Sequence, residues 1–220
     1  IQNADRAVVW YLKAVRQGHV GAQFSLGLCY KEGRGVSQDK FQAVEWFAKA
    51  AQYGHADAQF HLAACYSAGE GVRADAHQTV WWAGKAAEQG HTDAQFYMAL
   101  CYRDGAGVPQ DASKSAQWYE RAAEQGHTEA QFCLAECYKN GIGVSRDATR
   151  AVKWYTRAAE SSHANAQYYL ATCYGDGDGV YQDESQAIEW ATKAAEKGHA
   201  SAQFFLALGY DAGRGVGQSD

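Results

Sequence analysis

The same pattern returns every 36 residues along this chain, and that period limits what the chain can fold into before any single residue is interpreted. Gly-His recurs at His19, His55, His91, His127 and His199, and His163 keeps the register behind Ser162. Ala-Gln-aromatic recurs at Phe24, Phe60, Phe96, Phe132, Tyr168 and Phe204. Tryptophan recurs at Trp10, Trp46, Trp82, Trp118, Trp154 and Trp190. Six units of 36 account for nearly all of the 220 residues. One such unit cannot bury its apolar face alone, but stacked neighbours can.

Each unit carries two helical patterns. Ala58, Leu62, Cys65 and Gly69 are spaced 4, 3 and 4, one face of a 3.6-residue helix, with Gln59, Ala63 and Tyr66 beside them. Gly69-Glu70-Gly71-Val72 then breaks the helix, and both glycines are free to take positive φ. Asp75 is an expected N-cap for a second helix through Thr79, Trp82, Ala83, Ala86 and Ala87 that stops at Gly90. The small alanines let a neighbouring helix approach, and Trp82 is expected to fill the space they leave. The first unit begins inside the second helix type, and the last ends at Gly213-Arg214-Gly215-Val216, so the chain reads as part of a longer array. It starts at Ile1 and shows no signal-peptide pattern, which suggests a fragment or a processed form.

The unit A-x-x-x-L-[GA]-x-x-Y-x-x-G-x-G-V-x-x-D-x-x-x-A-x-x-W-[YF]-x-K-A-A resembles the Sel-one-like repeat (SLR) family, relatives of the tetratricopeptide repeats. It is carried by Ala22, Leu26, Gly27, Tyr30, Gly33, Gly35, Val36, Asp39, Ala43, Trp46, Phe47, Lys49, Ala50 and Ala51. The resemblance implies an all-α fold, a right-handed α/α superhelical solenoid of about six 36-residue helix pairs forming a single array over residues 1–220. Its concave face would be lined by the Ala-Gln-Phe helices. It also implies a scaffold or adaptor role with a protein or peptide partner. A cysteine-rich branch of the family staples each repeat with a disulfide. That branch has a second cysteine per unit, where this chain has alanine, and Gly209 replaces the repeated cysteine in the last unit.

The repeat turns most apparent chemical sites into rows. Cys29, Cys65, Cys101, Cys137 and Cys173 recur once per unit, on the order of 10 Å apart in stacked helix pairs, whereas a disulfide needs Cα atoms within about 7 Å. They read as small buried hydrophobes. Cys133, one turn before Cys137, is poorly oriented for a bond within its helix. Six thiols slightly favour a reducing compartment. The histidines form a row where a metal needs convergence. They are expected to pack or hydrogen-bond at the turn into the next helix, and the extra His61 and His77 have no companion at ligand spacing. Gly-x-Gly-Val follows a helix, not the strand that a nucleotide loop requires. Asp176-Gly-Asp178-Gly starts like a calcium loop, but Val180, Tyr181 and Ala187 stand where an oxygen ligand, a glycine and a glutamate belong. No nucleophile–base pair can be assembled. The expectation is therefore no catalytic residue, no metal and no cofactor.

A formal charge of −5 without a basic stripe argues against nucleic acid, and no apolar run reaches the roughly 18 residues of a membrane span. A partner should meet the positions that vary between otherwise similar units. On the Ala-Gln-Phe helix these form three rows. The first holds Ser25, His61, Tyr97, Cys133, Tyr169 and Phe205, the second Leu28, Ala64, Leu100, Glu136, Thr172 and Leu208. The third holds Lys31, Ser67, Arg103, Lys139, Gly175 and Asp211. Spacings of 3 and 3 put them on one face of each helix. Aromatic and arginine side chains are typical interface anchors. The expected partner-binding residues are Tyr97, Leu100, Arg103, Glu136, Lys139, Tyr169, Thr172, His61 and Ala64. Two further readings are a hydrolase or penicillin-binding activity, as claimed for the cysteine-rich branch, and a regulatory subunit of an enzyme partner.

Overall fold

The computed structural model describes residues 2–211, so the final turn Gly213-Arg214-Gly215-Val216 lies outside the described residues. Among these there are twelve helices and no strand. They are α1 (Gln2–Val15), α2 (Val20–Glu32), α3 (Lys40–Gln52), α4 (Ala56–Ala68), α5 (Ala76–Glu88), α6 (Thr92–Asp104), α7 (Ala112–Glu124), α8 (Thr128–Asn140), α9 (Ala148–Glu160), α10 (Ala164–Asp176), α11 (Glu184–Glu196) and α12 (Ala200–Asp211). They form two compact units that divide between Asp111 and Ala112. Even-numbered helices start with the Ala-Gln-aromatic pattern, and odd-numbered helices carry the tryptophan.

The Gly-His dipeptide joins one helix to the next by serving both. Gly54, at φ 84°, and His55 direct their backbone N–H groups back to Ala51 and Ala50, closing α3. The His55 ring then accepts a hydrogen bond at Nδ1 from the Ala58 N–H, 3.3 Å away, capping α4. The same cap recurs at His19, His91, His127, His163 and His199. An N-cap is worth about 1 kcal/mol. Four of these rings also lie against the aromatic of the preceding Ala-Gln-aromatic: His55 stacks on Phe24, His163 on Phe132 and His199 on Tyr168, and His91 is tilted against Phe60. That aromatic is therefore half-buried between repeats, and the core leucines Leu26, Leu62, Leu134 and Leu170 lie deeper.

Gln59 explains why an amide recurs in a buried position. Its Nε2 donates to the carbonyl of Ala51, 3.1 Å away at the end of α3, where no intrahelical partner remains. Gln95, Gln131 and Gln167 repeat the bond to Ala87, Ala123 and Ala159. Gln59 Oε1 accepts from Gln89, and Gln167 Oε1 from Lys197. The equivalent positions Tyr53 and Ser161 do not reach, and the acceptors of Gln23 and Gln131 are buried without a partner.

The turn Gly69-Glu70-Gly71 behaves as expected. Gly69, at φ 69°, ends α4 through its N–H to Cys65. Gly71, at φ 70°, lies so close to the carbonyl of Lys40 that a Cβ would overlap it. Asp75 caps α5 through the amides of His77 and Gln78, and α5 stops before Gly90. Trp82 corrects one expectation. It is only partly buried, against the α3–α4 cluster, and the fully buried ring elsewhere is the residue after the tryptophan: Phe47, Tyr119 and Tyr155. A Cβ at Gly27 would come 2.5 Å from the Phe47 ring, so the ring depends on a small residue opposite it. Other tryptophans of the row lie beneath cations: Lys49 is 4.1 Å from the Trp46 ring, Arg157 4.6 Å from the buried Trp154 and Lys193 4.0 Å from Trp190, whereas Lys85 lies over Trp81, beside Trp82.

Candidate functional site

The variable rows occupy the even-numbered helices, and in each unit they interlock from one repeat to the next. The side chain in the third row of one helix reaches the first-row side chain 30 residues on. In the first unit Lys31 Nζ stands 3.5 Å from His61 Nδ1, and Ser67 Oγ stands 3.4 Å from the Tyr97 hydroxyl. In the second, Lys139 Nζ lies 4.4 Å from the centre of the Tyr169 ring. The spacing in sequence gives one face per helix; the folded chain adds a stair of polar groups laid over rings.

Within the first unit, α4 presents His61 and Ala64, and α6 presents Tyr97, Leu100 and Arg103. His61 is half-buried and stacks on Phe47 at 5.2 Å and beside Phe24 at 5.5 Å. Burial, then the Lys31 charge, pushes its imidazole below the ordinary value. Tyr97 and Leu100 are half-buried, Ala64 and Arg103 exposed. Burial raises the Tyr97 hydroxyl above its usual range. Arg103 holds Asp104 through two hydrogen bonds of 2.8 and 2.9 Å, which keeps the Asp104 carboxyl low. Ser67 and Tyr97 also edge a cavity of about 290 Å³ whose walls include Tyr66, Thr79, Val80 and Ala106.

Within the second unit, α8 presents Glu136 and Lys139, and α10 presents Tyr169 and Thr172. Tyr169 stacks on Tyr155 with centroids 5.7 Å apart and 15° between planes, and it leans on Phe132 at 5.9 Å. The buried Tyr155 hydroxyl donates to Glu136 Oε1. Burial, followed by that carboxylate, pushes the Tyr155 hydroxyl far above the normal range for tyrosine. Thr172 turns its hydroxyl back to the Tyr169 carbonyl at 2.7 Å. Glu136, Lys139 and Tyr169 thus share one cluster, which Thr172 only borders. The deep member, Tyr155, was missed in sequence because it repeats Phe47 and Tyr119 and so reads as core.

The six cysteines are thiols, five of them buried. Burial raises Cys29, Cys65 and Cys101, and takes Cys173 to about 11. That favours the protonated form, the reverse of what a nucleophilic cysteine requires. Among the described residues no three His, Cys, Asp or Glu side chains gather as metal ligands would, and no helix is long and apolar enough to cross a membrane.

The Sel1 repeat model matches the chain in seven consecutive segments, residues 1–19, 20–55, 56–91, 92–127, 128–163, 164–199 and 200–220. No curated protein matches it. Over 96% of its length the chain is similar, at 38% identity and a TM-score of 0.89, to the crystal structure of a protective antigen present in uropathogenic Escherichia coli strains displaying an SLR fold. It spans 45% of that protein. A Sel1 repeat protein from Oxalobacter formigenes matches over 82% of this chain and 74% of its own, at 36% identity and a TM-score of 0.77. A putative Sel1 repeat protein from Klebsiella pneumoniae shares the fold at 20% identity and a TM-score of 0.51, over 91% of this chain and 98% of its own. The chain belongs to the Sel1 repeat family, whose helix-pair fold commonly serves protein–protein interaction.

Proposed function

We propose that this chain is a non-enzymatic binding module that holds a protein or peptide partner on its even-numbered helices. In the first unit the binding residues are His61, Ala64, Tyr97, Leu100 and Arg103. In the second they are Glu136, Lys139, Tyr169 and Thr172. One observation carries the reading. On the even-numbered helices the side chains that repeat are committed to caps, core and contacts between repeats, whereas several that vary, among them His61, Tyr97, Lys139 and Tyr169, are partly exposed rings or cations held by their neighbours. Preformed aromatic and cationic groups are what binding hot spots are made of, and fixing them beforehand lowers the entropic cost of association.

The test is affinity capture with the isolated chain and with Arg103→Glu, Glu136→Lys and Tyr169→Ala variants, each checked by circular dichroism. The expected result is a partner retained by the parent chain and lost from the variants. A partner retained equally by all four proteins would refute this placement of the site.

A further inference from the structure

Lys31 differs from the cations around it. Lys40 is paired with Glu70 at 2.9 Å, Arg34 with Glu32 at 2.6 Å and Arg103 with Asp104 at 2.8 Å. The carboxylates near Lys31 are thus already engaged. The Lys31 side chain is half-buried, and the polar group beside it is the His61 imidazole, whose Nδ1 accepts from the ammonium at 3.5 Å and leaves the Nε2 N–H as the ring's donor. Among the described residues no carboxylate lies in salt-bridge contact with Lys31. The floor beneath is apolar, formed by the Phe24 and Phe47 rings under His61.

The next step of the same stair is a hole. Where Lys31 meets His61 in one repeat, Ser67 meets Tyr97 in the following one, and there the cavity of about 290 Å³ opens. Its walls are mostly apolar, with Val80, Ala106 and the Tyr66 and Tyr97 rings; Ser67, Thr79 and Asp75 also line it, and the Asp75 carboxylate is engaged in capping α5. A volume of roughly 150 Å³ already accommodates a benzene-sized group, while drug-sized ligands take about 300 Å³ upward. The cavity is therefore large enough to admit one apolar side chain. Ser67 lies six residues beyond His61 on α4, about 9 Å along the axis, which an extended peptide crosses in about three residues.

We infer that the first unit receives an acidic peptide segment of a partner protein, with a carboxylate on Lys31 and His61 and an apolar side chain about three residues away in the cavity below Tyr97. This rests on the binding role proposed above and adds the chemistry of what is bound. Charge complementarity decides the sign. The ammonium without a carboxylate selects an anion, and the neighbouring cavity selects an apolar group beside it.

The experiment is fluorescence anisotropy of the whole chain with a blocked, labelled octapeptide. It carries glutamate and leucine three residues apart in an alanine–serine background. Two control peptides have lysine for the glutamate or alanine for the leucine. The glutamate–leucine peptide should bind at least tenfold more tightly than either control, and more weakly as salt rises. Lys31→Glu should remove the preference for glutamate, and Ser67→Phe, which blocks the mouth, the preference for leucine. Both positions reach solvent, and unchanged thermal melts would show that the variants fold. Equal binding of the three peptides, absence of binding, or indifference to Lys31→Glu would overturn the inference. A natural partner lost with Tyr169→Ala but kept with Lys31→Glu would overturn it as well, while leaving the broader binding role intact.

Discussion

The Lys139 ammonium sits 4.4 Å above the Tyr169 ring, and the other face of that cluster is closed by Tyr155, whose hydroxyl is spent on Glu136. The surface pair is thus positioned by a buried ring and a part-buried hydrogen bond. Tyr155→Phe keeps the ring and the stack but leaves Glu136 without its donor. A hydrogen bond to a charged acceptor contributes about 1.5–3 kcal/mol, and Glu136 retains some solvent, so a loss near 1.5 kcal/mol is expected by urea denaturation. Tyr155→Phe, Glu136→Gln and the double variant form a cycle. If the two losses simply add, the bond contributes nothing to stability.

The two kinds of positive-φ glycine separate strain from collision. At Gly54, φ 84°, a Cβ would meet nothing within 4 Å; at Gly71, φ 70°, it would overlap the Lys40 carbonyl. Gly54→Ala should cost only the left-handed conformation, about 1–2 kcal/mol. Gly71→Ala adds steric overlap with backbone that cannot turn aside, for a total of about 3 kcal/mol or more. Denaturant midpoints of the two variants measure the difference. Equal losses would mean that the contact between repeats at Gly71 can relax.

The 36-residue period, the two helices per unit, the glycine turns and the Asp75 cap were all legible in sequence, because each depends on local spacing or on backbone freedom. For His55 the sequence placed a ring that packs or hydrogen-bonds at the turn, which the cap and the stack bear out, but it named neither partner; the role of Gln59 was not legible at all. A buried amide bonded to a carbonyl eight residues back, and a ring that caps one helix while stacking on the repeat before it, are set by how helices cross. Trp82 was misplaced for the same reason: a tryptophan at a repeated position reads as core, but the helix turns the residue after it inward. For the candidate site the sequence supplied the rows. It could not supply the contact from Lys31 to His61 or from Ser67 to Tyr97, since spacing along one helix says nothing of what the next helix brings opposite.

Ser162 and Ser161 are two places where the repeat lapses, and restoring it should stabilise the second unit. Ser162 holds φ 68° where Gly18, Gly54, Gly90, Gly126 and Gly198 stand in the other turns. Ser162→Gly should recover about 1 kcal/mol of backbone strain. Ser161→Gln places a long amide where Gln89 and Lys197 reach their neighbours, and gives the buried Gln131 Oε1 a donor. Leaving a buried acceptor unpaired costs about 1–3 kcal/mol. Both variants should melt a few degrees higher, and a lower melting temperature for Ser161→Gln would show that the Gln131 acceptor is not reachable from that position.

His61 should make the stability of the first unit depend on pH. Its folded imidazole is held below the ordinary value of 6.5, by burial first and the Lys31 charge second. The groups facing it are Lys31 and Glu32 from α2, Asp57 on its own helix and His91 from the following turn; the two carboxylates partly offset the depression. A folded value below the unfolded one means that the unfolded chain binds more protons. The contribution is complete above about 6.5 and is lost as the pH falls through the lowered folded value. Unfolding free energy measured between pH 7.5 and pH 5 should therefore decline. His61→Phe, which keeps a ring against Phe47 but cannot titrate, should remove part of that decline. An identical fall in the parent and the variant would show that His61 is protonated with equal ease in both states.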